Sequence, residues 1–187
     1  MIVVLSGVSG SGKDTIKEKL IKRNIDIVSI PSYTSREIRE FETEGKEYFH
    51  VDKETFEEMI KEGKFYEYNV HHDNYYGTNK EILDTAISNG KIIVKDIDVN
   101  GTKSLKEIFE DSGIKIITIF LYISKEEMEK RLRNREDHLD EEKLNIRMSR
   151  YDYETDRSSN YDYIIENNDL DETVEKIEEI IAKERNI

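Results

Sequence analysis

No cysteine occurs among the 187 residues. That excludes a disulfide framework, a thiolate metal site and a cysteine nucleophile. Proline is nearly absent, with Pro31 the single instance. Low-complexity tracts and internal repeats are missing too, so no stretch reads as a disordered linker or a repeat array. There is no long hydrophobic run: "IKIITIFLYI" (114–123) is about half the length needed to span a bilayer. Met1 leads straight into a strand-like run rather than a leader pattern, so the expectation is a cytoplasmic protein with no membrane partner. Nor is there an excess of positive charge. A net charge of −13 argues against a nucleic-acid partner, which would need a basic stripe. Small anionic ligands remain possible, because local basic clusters can exist within an acidic whole. The chain is expected to act as a monomer or a homodimer.

What is present is an alternation of short apolar runs and helix-like segments. "IVVLS" (2–6), "IDIVSI" (25–30), "KIIVKDID" (91–98), "KIITIFLYI" (115–123) and "YDYIIEN" (161–167) read as strands. Between them, 14–24, 100–113, 124–135 and 171–186 carry helical spacing. Gly113 is expected to close the second of these helices, and Ser124 with Glu127 forms a capping-box pattern at the start of the third. The alternation predicts an α/β fold with a central parallel sheet flanked by helices. Two stretches interrupt it. Residues 32–78 are polar and tyrosine-rich, with a short helix at 53–63, and suggest an inserted α+β subdomain. Residues 126–157 are dense in charge and suggest an exposed helical pair that acts as a lid. The expected division is a core of 1–31, 85–125 and 158–187, an insert of 32–84 and a lid of 126–157.

The first strand runs into "GVSGSGKDT" (7–15). Gly7, Gly10 and Gly12 permit a tight turn whose N–H groups point inward, beside Ser9 and Ser11. The helix starting near Lys13 adds its positive end. Lys13 can reach the β- and γ-phosphates of a bound nucleotide. This is a P-loop in its strand–loop–helix context, with one departure. The Ser/Thr that normally holds Mg²⁺ is Asp14, and Thr15 comes one place late. Asp14 could face the metal, or serve as an acid favoured by the helix dipole.

The chain resembles the guanylate kinase family along nearly its whole length. The residues that carry the likeness are "SYTSREIR" with Ser32, Arg36 and Arg39, "GKEY" with Tyr48, and "FYEY" with Glu67. "NYYGT" adds Tyr76, Gly77 and Thr78, "DIDVNG" adds Asp96, Asp98 and Gly101, and "RLRNR" and "LNIRMSR" add Arg131, Arg135, Arg147 and Arg150. The resemblance implies a P-loop kinase fold with a nucleoside-monophosphate-binding insert and a helical lid. It implies ATP as phosphoryl donor, Mg²⁺ as cofactor, and GMP, with dGMP, as acceptor. Gly7, Ser9, Gly10, Ser11, Gly12, Lys13, Asp14, Thr15 and Arg131 are then expected at ATP. Ser32, Arg36, Arg39, Tyr48, Glu67, Tyr76, Thr78, Asp98 and Gly101 are expected at GMP. Asp96 would contact Mg²⁺ through water.

The chemistry of these residue types agrees. Arg36 and Arg39 can bind a phosphate dianion in bidentate fashion, with phenol donors from Tyr48 and Tyr76. A carboxylate at Glu67 can accept from the adjacent N1–H and amino group of guanine, while the N1 lone pair of adenine would be repelled; Thr78 and Asp98 can hold other ring atoms. Phosphoryl transfer rests on positioning and charge neutralisation. Lys13 would hold the donor, Arg39 the acceptor side, and Arg135 and Arg147 would close over the transferring group. Arg131 and Arg150 are intermediate, and Arg133 and Arg157 read as helix-face salt bridges. Closure of 32–84 and 126–157 toward the core would exclude water.

The sequence departs from the family pattern at Ser35, Ile38, Phe41 and Glu136, of which Phe41 and Glu136 bear on loop shape. The histidines, His71 and His72 included, show no metal-ligand pattern and read as strand-surface residues. Two rival readings remain. "SGSGKD" also resembles the loop of ribose bisphosphate phosphokinases, whose acceptor has no base, leaving Glu67 without a purpose. A non-catalytic interaction domain of the guanylate kinase type would keep the fold, but typically loses the loop lysine or lid arginines that are present here.

Overall fold

Ile2, Val3, Val4 and Leu5 are all completely buried, although successive strand side chains point to opposite faces. Both faces of strand β1 (Ile2–Gly7) are therefore covered, as expected for a parallel sheet under crossover helices. The computed structural model describes residues 1–39, 42–71, 73–134 and 140–185. After β1 come α1 (Lys13–Arg23), β2 (Ile27–Val28), β3 (Ser32–Thr34), β4 (Tyr48–His50) and α2 (Lys53–Lys61). Then follow β5 (Phe65–His71), β6 (Asn74–Asn79), α3 (Lys80–Ser88), β7 (Ile92–Asp96), α4 (Val99–Phe109) and β8 (Ile116–Tyr122). Helices α5 (Lys125–Arg133), α6 (Glu141–Ser149) and α7 (Tyr151–Thr155) lead through a 3-10 turn to β9 (Tyr163–Glu166) and α8 (Leu170–Arg185).

The central sheet has the order β2-β7-β1-β8-β9 and every pairing in it is parallel. One face packs Val3 and Leu5 against Ile16 and Leu20 of α1 and Ile177 and Ile181 of α8. The other packs Ile2 and Val4 against Leu83, Leu105 and Phe109. Because β1 is central, its carboxyl end opens between β7 and β8, the place where open parallel sheets bind ligands. The register sets Leu5 opposite Asp96 and Gly7 opposite Leu121.

A second sheet, ordered β4-β3-β6-β5, is mixed: β3 runs parallel to β4 and antiparallel to β6, which pairs antiparallel with β5. Its own core is aromatic. Phe56 stacks on Phe65 at 4.5 Å and on Tyr75 at 5.1 Å. Helix α2 supplies Phe56 and starts on Asp52, whose side chain accepts from the Thr55 N–H.

Three local expectations shift. The strand at 25–30 shortens to Ile27–Val28, with Ile25 89% exposed. Helix α4 ends at Phe109, four residues before Gly113, which adopts φ 73° beyond the helix rather than capping it. Only half of the capping box forms. Ser124 Oγ accepts from the Glu127 N–H, while the Glu127 carboxylate turns to Arg131. Helices α5, α6 and α7 are also better packed than their charge suggests. Met128, Leu132, Leu144 and Tyr151 are buried against Val8, Phe120 and Ile123. The first two recur at i, i+4, a narrow apolar stripe on an otherwise charged helix. The side chains of His71 and His72, and the departures Phe41 and Glu136, lie outside what is described.

Candidate active site

The glycines of the loop answer to definite neighbours. A Cβ on Gly7 would stand 2.3 Å from the Leu121 carbonyl of the adjacent strand. Gly12 has φ 89°, and a Cβ there would meet Asn167 Nδ2 at 2.8 Å. Gly12 also precedes α1 without any side-chain cap. The helix therefore presents backbone N–H groups at its positive end, the arrangement that receives phosphate oxygens. Lys13 Nζ donates to the carbonyls of Gly7 at 2.8 Å and Val8 at 3.2 Å, and to Ser11 Oγ at 3.3 Å. The ammonium thus curls back over the loop it would share with a ligand. Burial pulls its pKa below the usual lysine value, with Asp14 the leading charge acting in the other direction.

Asn167 braces the loop from behind. It is 2% exposed, donates from Nδ2 to the Ser11 carbonyl at 2.7 Å and accepts at Oδ1 from Thr173 at 2.9 Å. Asp14 and Thr15, in the first turn of α1, are exposed. The Asp14 carboxylate, with 80% of its side-chain surface open, lies 3.6 Å from Lys17 Nζ.

A cleft of about 240 Å³ runs from this loop to the second sheet. Gly7, Ser9 and Lys13 line one end; Ser32, Tyr48, Tyr76 and Glu67 line the other; Asp96 and Asp98 lie along it. Glu67 on β5 and Thr78 on β6 are register partners, and the Thr78 hydroxyl donates to Glu67 Oε1. Thr78 is fully buried and Glu67 is 9% exposed. Burial pushes the Glu67 carboxyl above the usual range, against the pull of Thr78 and Lys95. Gly101 leaves room for this carboxylate, since a Cβ there would come within 2.7 Å of Glu67 Oε2. Asp98 caps α4, accepting at Oδ1 from the N–H groups of Asn100 and Gly101, and its Oδ2 accepts from Asn69.

Asp96 ends β7 beside the loop. Burial disfavours its charge, but Lys17, with Nζ 2.6 Å from Oδ1, together with Lys95 and Lys13, overrides this and brings its pKa to about 2. Tyr48 and Tyr76 pack edge to face at 5.9 Å, and burial pushes the Tyr48 phenol up. Arg36 is held by Glu42 at 2.6 Å, lies 5.5 Å from the Tyr48 ring centroid, and shares Glu42 with the Arg39 backbone N–H at 2.9 Å. Arg39 itself is half-buried.

On the helical side, Arg147 Nη1 donates to Ser9 Oγ at 3.4 Å. Arg131 bonds Glu127 at 2.8 Å and the carbonyls of Asn167 at 2.9 Å and Gly10 at 3.5 Å, which ties α5 to the loop. Arg150 bonds Glu154 at 3.1 Å, Arg133 bonds Glu129 and Glu141, and Arg157 covers the Tyr153 ring at 3.5 Å. Arg135 lies outside the described residues. The structure therefore gathers Gly7, Ser9, Lys13, Ser32, Tyr48, Glu67, Tyr76, Asp96 and Asp98 at one cleft. Thr78 and Gly101 stand behind its wall.

Five residues at or behind this cleft escaped sequence reasoning: Lys17, Asn69, Lys95, Glu154 and Asn167. Glu154 and Asn69 line it directly. Burial pushes the Glu154 carboxyl up, with Lys13 the leading counter-charge. Two of the five had a signal. Asn69 shares the two-residue period of Glu67 on β5, and Lys95 interrupts an apolar strand. Asn167 and Glu154 sit in segments with no motif at all.

Comparison with known proteins agrees with this geometry. The profile described as guanylate kinase matches residues 1–184. A guanylate kinase from Rickettsia felis is 39% identical over 186 residues, 99% of this chain and 94% of that protein. One from Prochlorococcus marinus is 38% identical over 181 residues, 96% of each. A crystal structure of guanylate kinase from Anaplasma phagocytophilum superposes with a TM-score of 0.80 at 28% identity, covering 98% of this chain and 85% of that one. With the parallel sheet, the phosphate loop and the cleft already in place, the chain belongs to the guanylate kinase family, whose members are nucleoside monophosphate kinases.

Proposed function

We propose that the chain transfers the γ-phosphoryl group of ATP to GMP, and to dGMP, releasing ADP and the corresponding diphosphate. The observation that carries this reading is the buried Glu67 carboxylate, braced by Thr78, at the far end of the cleft from Lys13. Guanine offers two adjacent donors, N1–H and the 2-amino group, to such a carboxylate. Adenine offers a lone pair in place of the first, facing a carboxylate oxygen that then lacks that donor, which a site built to hydrogen-bond the base rejects strongly.

In this reading the loop backbone and Lys13 hold the donor's phosphates. Ser32, Arg36, Arg39, Tyr48 and Tyr76 hold the acceptor's phosphate, Arg36 leaving or sharing Glu42 to do so. Asp98 and Gly101 complete the base site. Arg147, Arg135 and Arg131 neutralise charge on the donor side as 126–157 and 32–84 close over the cleft. An acceptor phosphate oxygen attacks the γ-phosphorus in line, and the charge that develops on the transferring group falls among these fixed cations.

The residues fit Mg²⁺. Among the described residues no three acidic or histidine side chains gather into a cage, which suits an ion that keeps its waters and binds mainly to phosphates. Asp96 has one oxygen on Lys17 and its carboxylate lines the cleft, so it would hold the ion through water. Asp14 is open to solvent at the loop and is the second candidate. Mg²⁺ would supply neutralisation of the donor's phosphate oxygens. We place the reaction in the cytoplasm.

A coupled assay with ATP, Mg²⁺ and a panel of nucleoside monophosphates, with ribose 1,5-bisphosphate as a further acceptor, tests the proposal. GMP is expected to be the preferred acceptor. Turnover of the sugar phosphate and not of GMP, or no turnover of any acceptor, would overturn it.

A further inference from the structure

Lys95 is a charged residue in the middle of the apolar strand β7, and it is 1% exposed. It falls on the same strand face as Ile93, toward the cluster formed by Val4, Leu83 and Leu105. Its ammonium donates to Ser32 Oγ at 2.6 Å. A buried ammonium is costly unless it meets compensating charge. The acids that act on it are Asp96 and Glu67. Asp96 already holds the Lys17 ammonium at 2.6 Å, and Glu67 already accepts from Thr78. Lys13, Lys17 and Lys95 all act on Asp96, while Glu67, Asp98 and Glu154 also line the cleft; among the described residues the hydrogen bond of the Lys95 ammonium goes to Ser32.

The hydrogen-bond inventory fixes a direction. A lysine ammonium has donors only, so Ser32 Oγ must accept from it. The Ser32 hydroxyl hydrogen is then left for another acceptor, and Ser32 lines the cleft. We propose that Lys95 is a positioning residue for the acceptor's phosphate: it locks Ser32 as a donor into the cleft and sets a positive charge beneath the acceptor anion. This rests on the reading of GMP as acceptor.

The test is calorimetric binding of GMP, and of guanosine by competition, to the full chain and to Lys95→Met, Ser32→Ala and the double variant. Each single variant is expected to weaken GMP about tenfold or more, as loss of a hydrogen bond to a charged group does. Guanosine, which has no phosphate, is expected to bind all four proteins alike. The double variant is expected to bind no more weakly than Lys95→Met within about threefold, because the two residues act as one unit. Lys95→Met that binds GMP like the wild type, that loses guanosine as strongly as GMP, or whose effect simply adds to that of Ser32→Ala, would overturn the proposal. Should Lys95→Met not fold, Lys95→Gln takes its place with the same outcomes, and unchanged GMP affinity in Ser32→Ala overturns the inference by itself. A wild-type chain that fails to bind GMP at all would instead sink the reading of the acceptor.

Discussion

The two ends of the cleft are built by different means. At the loop end, the ligand would meet backbone N–H groups shaped by glycines and braced from behind by Asn167 and Arg131. At the second sheet it would meet side chains: a buried carboxylate, two phenols, an arginine held on Glu42 and a serine on a buried lysine. A backbone site recognises any polyphosphate. A side-chain site recognises one acceptor, and it does so by keeping charges where water would not keep them. Two opposite signs of burial follow. Lys13 is shifted down and Glu67 is shifted up, each toward the neutral form, as burial does to a cation and to an anion.

Removing the loop's charge should produce the largest effect. Lys13→Ala is expected to lower kcat by about 10²–10³-fold or more, as loss of one preorganised charge-stabilising donor does, with the circular-dichroism spectrum unchanged. Comparable turnover in that variant would mean that the backbone alone carries the donor.

Glu67→Gln should come next and act only at the other end. It is expected to lower kcat/KM for GMP by about 10²-fold while leaving the KM for ATP nearly unchanged. It should also separate stability from function. A carboxyl raised in the folded state keeps a proton that the unfolded chain gives up. Stability is therefore lost as pH rises from the ordinary glutamate value through the raised one. Glutamine removes that loss, so Glu67→Gln should melt higher than the wild type at pH 8, with the gap shrinking toward pH 4. A gap that is constant with pH would show that Glu67 is not strained by burial.

Asn167→Ala probes the brace behind the loop. It strands the Ser11 carbonyl, while the Thr173 hydroxyl keeps its bond to the Asp169 carbonyl; the cost is about 1–3 kcal/mol in thermal or denaturant unfolding, and the KM for ATP should rise more than that for GMP. Asp14→Ser should do least. Its carboxylate is exposed, and the Lys17 ammonium it lies 3.6 Å from is already held by Asp96 at 2.6 Å. The dependence on Mg²⁺ is expected to change less than about threefold; a large shift in the titration would make Asp14 a metal residue after all.

The same contrast decides what could be read from the sequence. The loop end was legible because its chemistry is local: nine consecutive residues, after an apolar run, encode strand, turn and helix. Much of the parallel sheet was legible for the same reason, since β1 and β8 are short, mostly apolar runs, while β2 shrinks to two residues and Lys95 interrupts β7. At the other end, Glu67, Tyr48, Tyr76 and the two arginines were legible only by their joint spacing. Lys95 reaches Ser32 across 63 positions, and Asn167 reaches Ser11 across 156. No local pattern records such a contact. The buried face of α5 was obscured because two apolar residues, Met128 and Leu132, sit among seven polar or charged ones. Its helix propensity was readable from the sequence, but its docking on Phe120 and Ile123 was not.

In the proposed reaction Glu67 reads two donors of the base. Inosine monophosphate keeps N1–H and lacks the 2-amino group, so it isolates one of them without altering the protein. The measurement is kcat/KM for GMP and for inosine monophosphate with the wild-type chain under saturating ATP and Mg²⁺. A preference for GMP of about 10- to 100-fold is expected, the worth of one hydrogen bond to a buried charged group. Equal use of the two acceptors would contradict it.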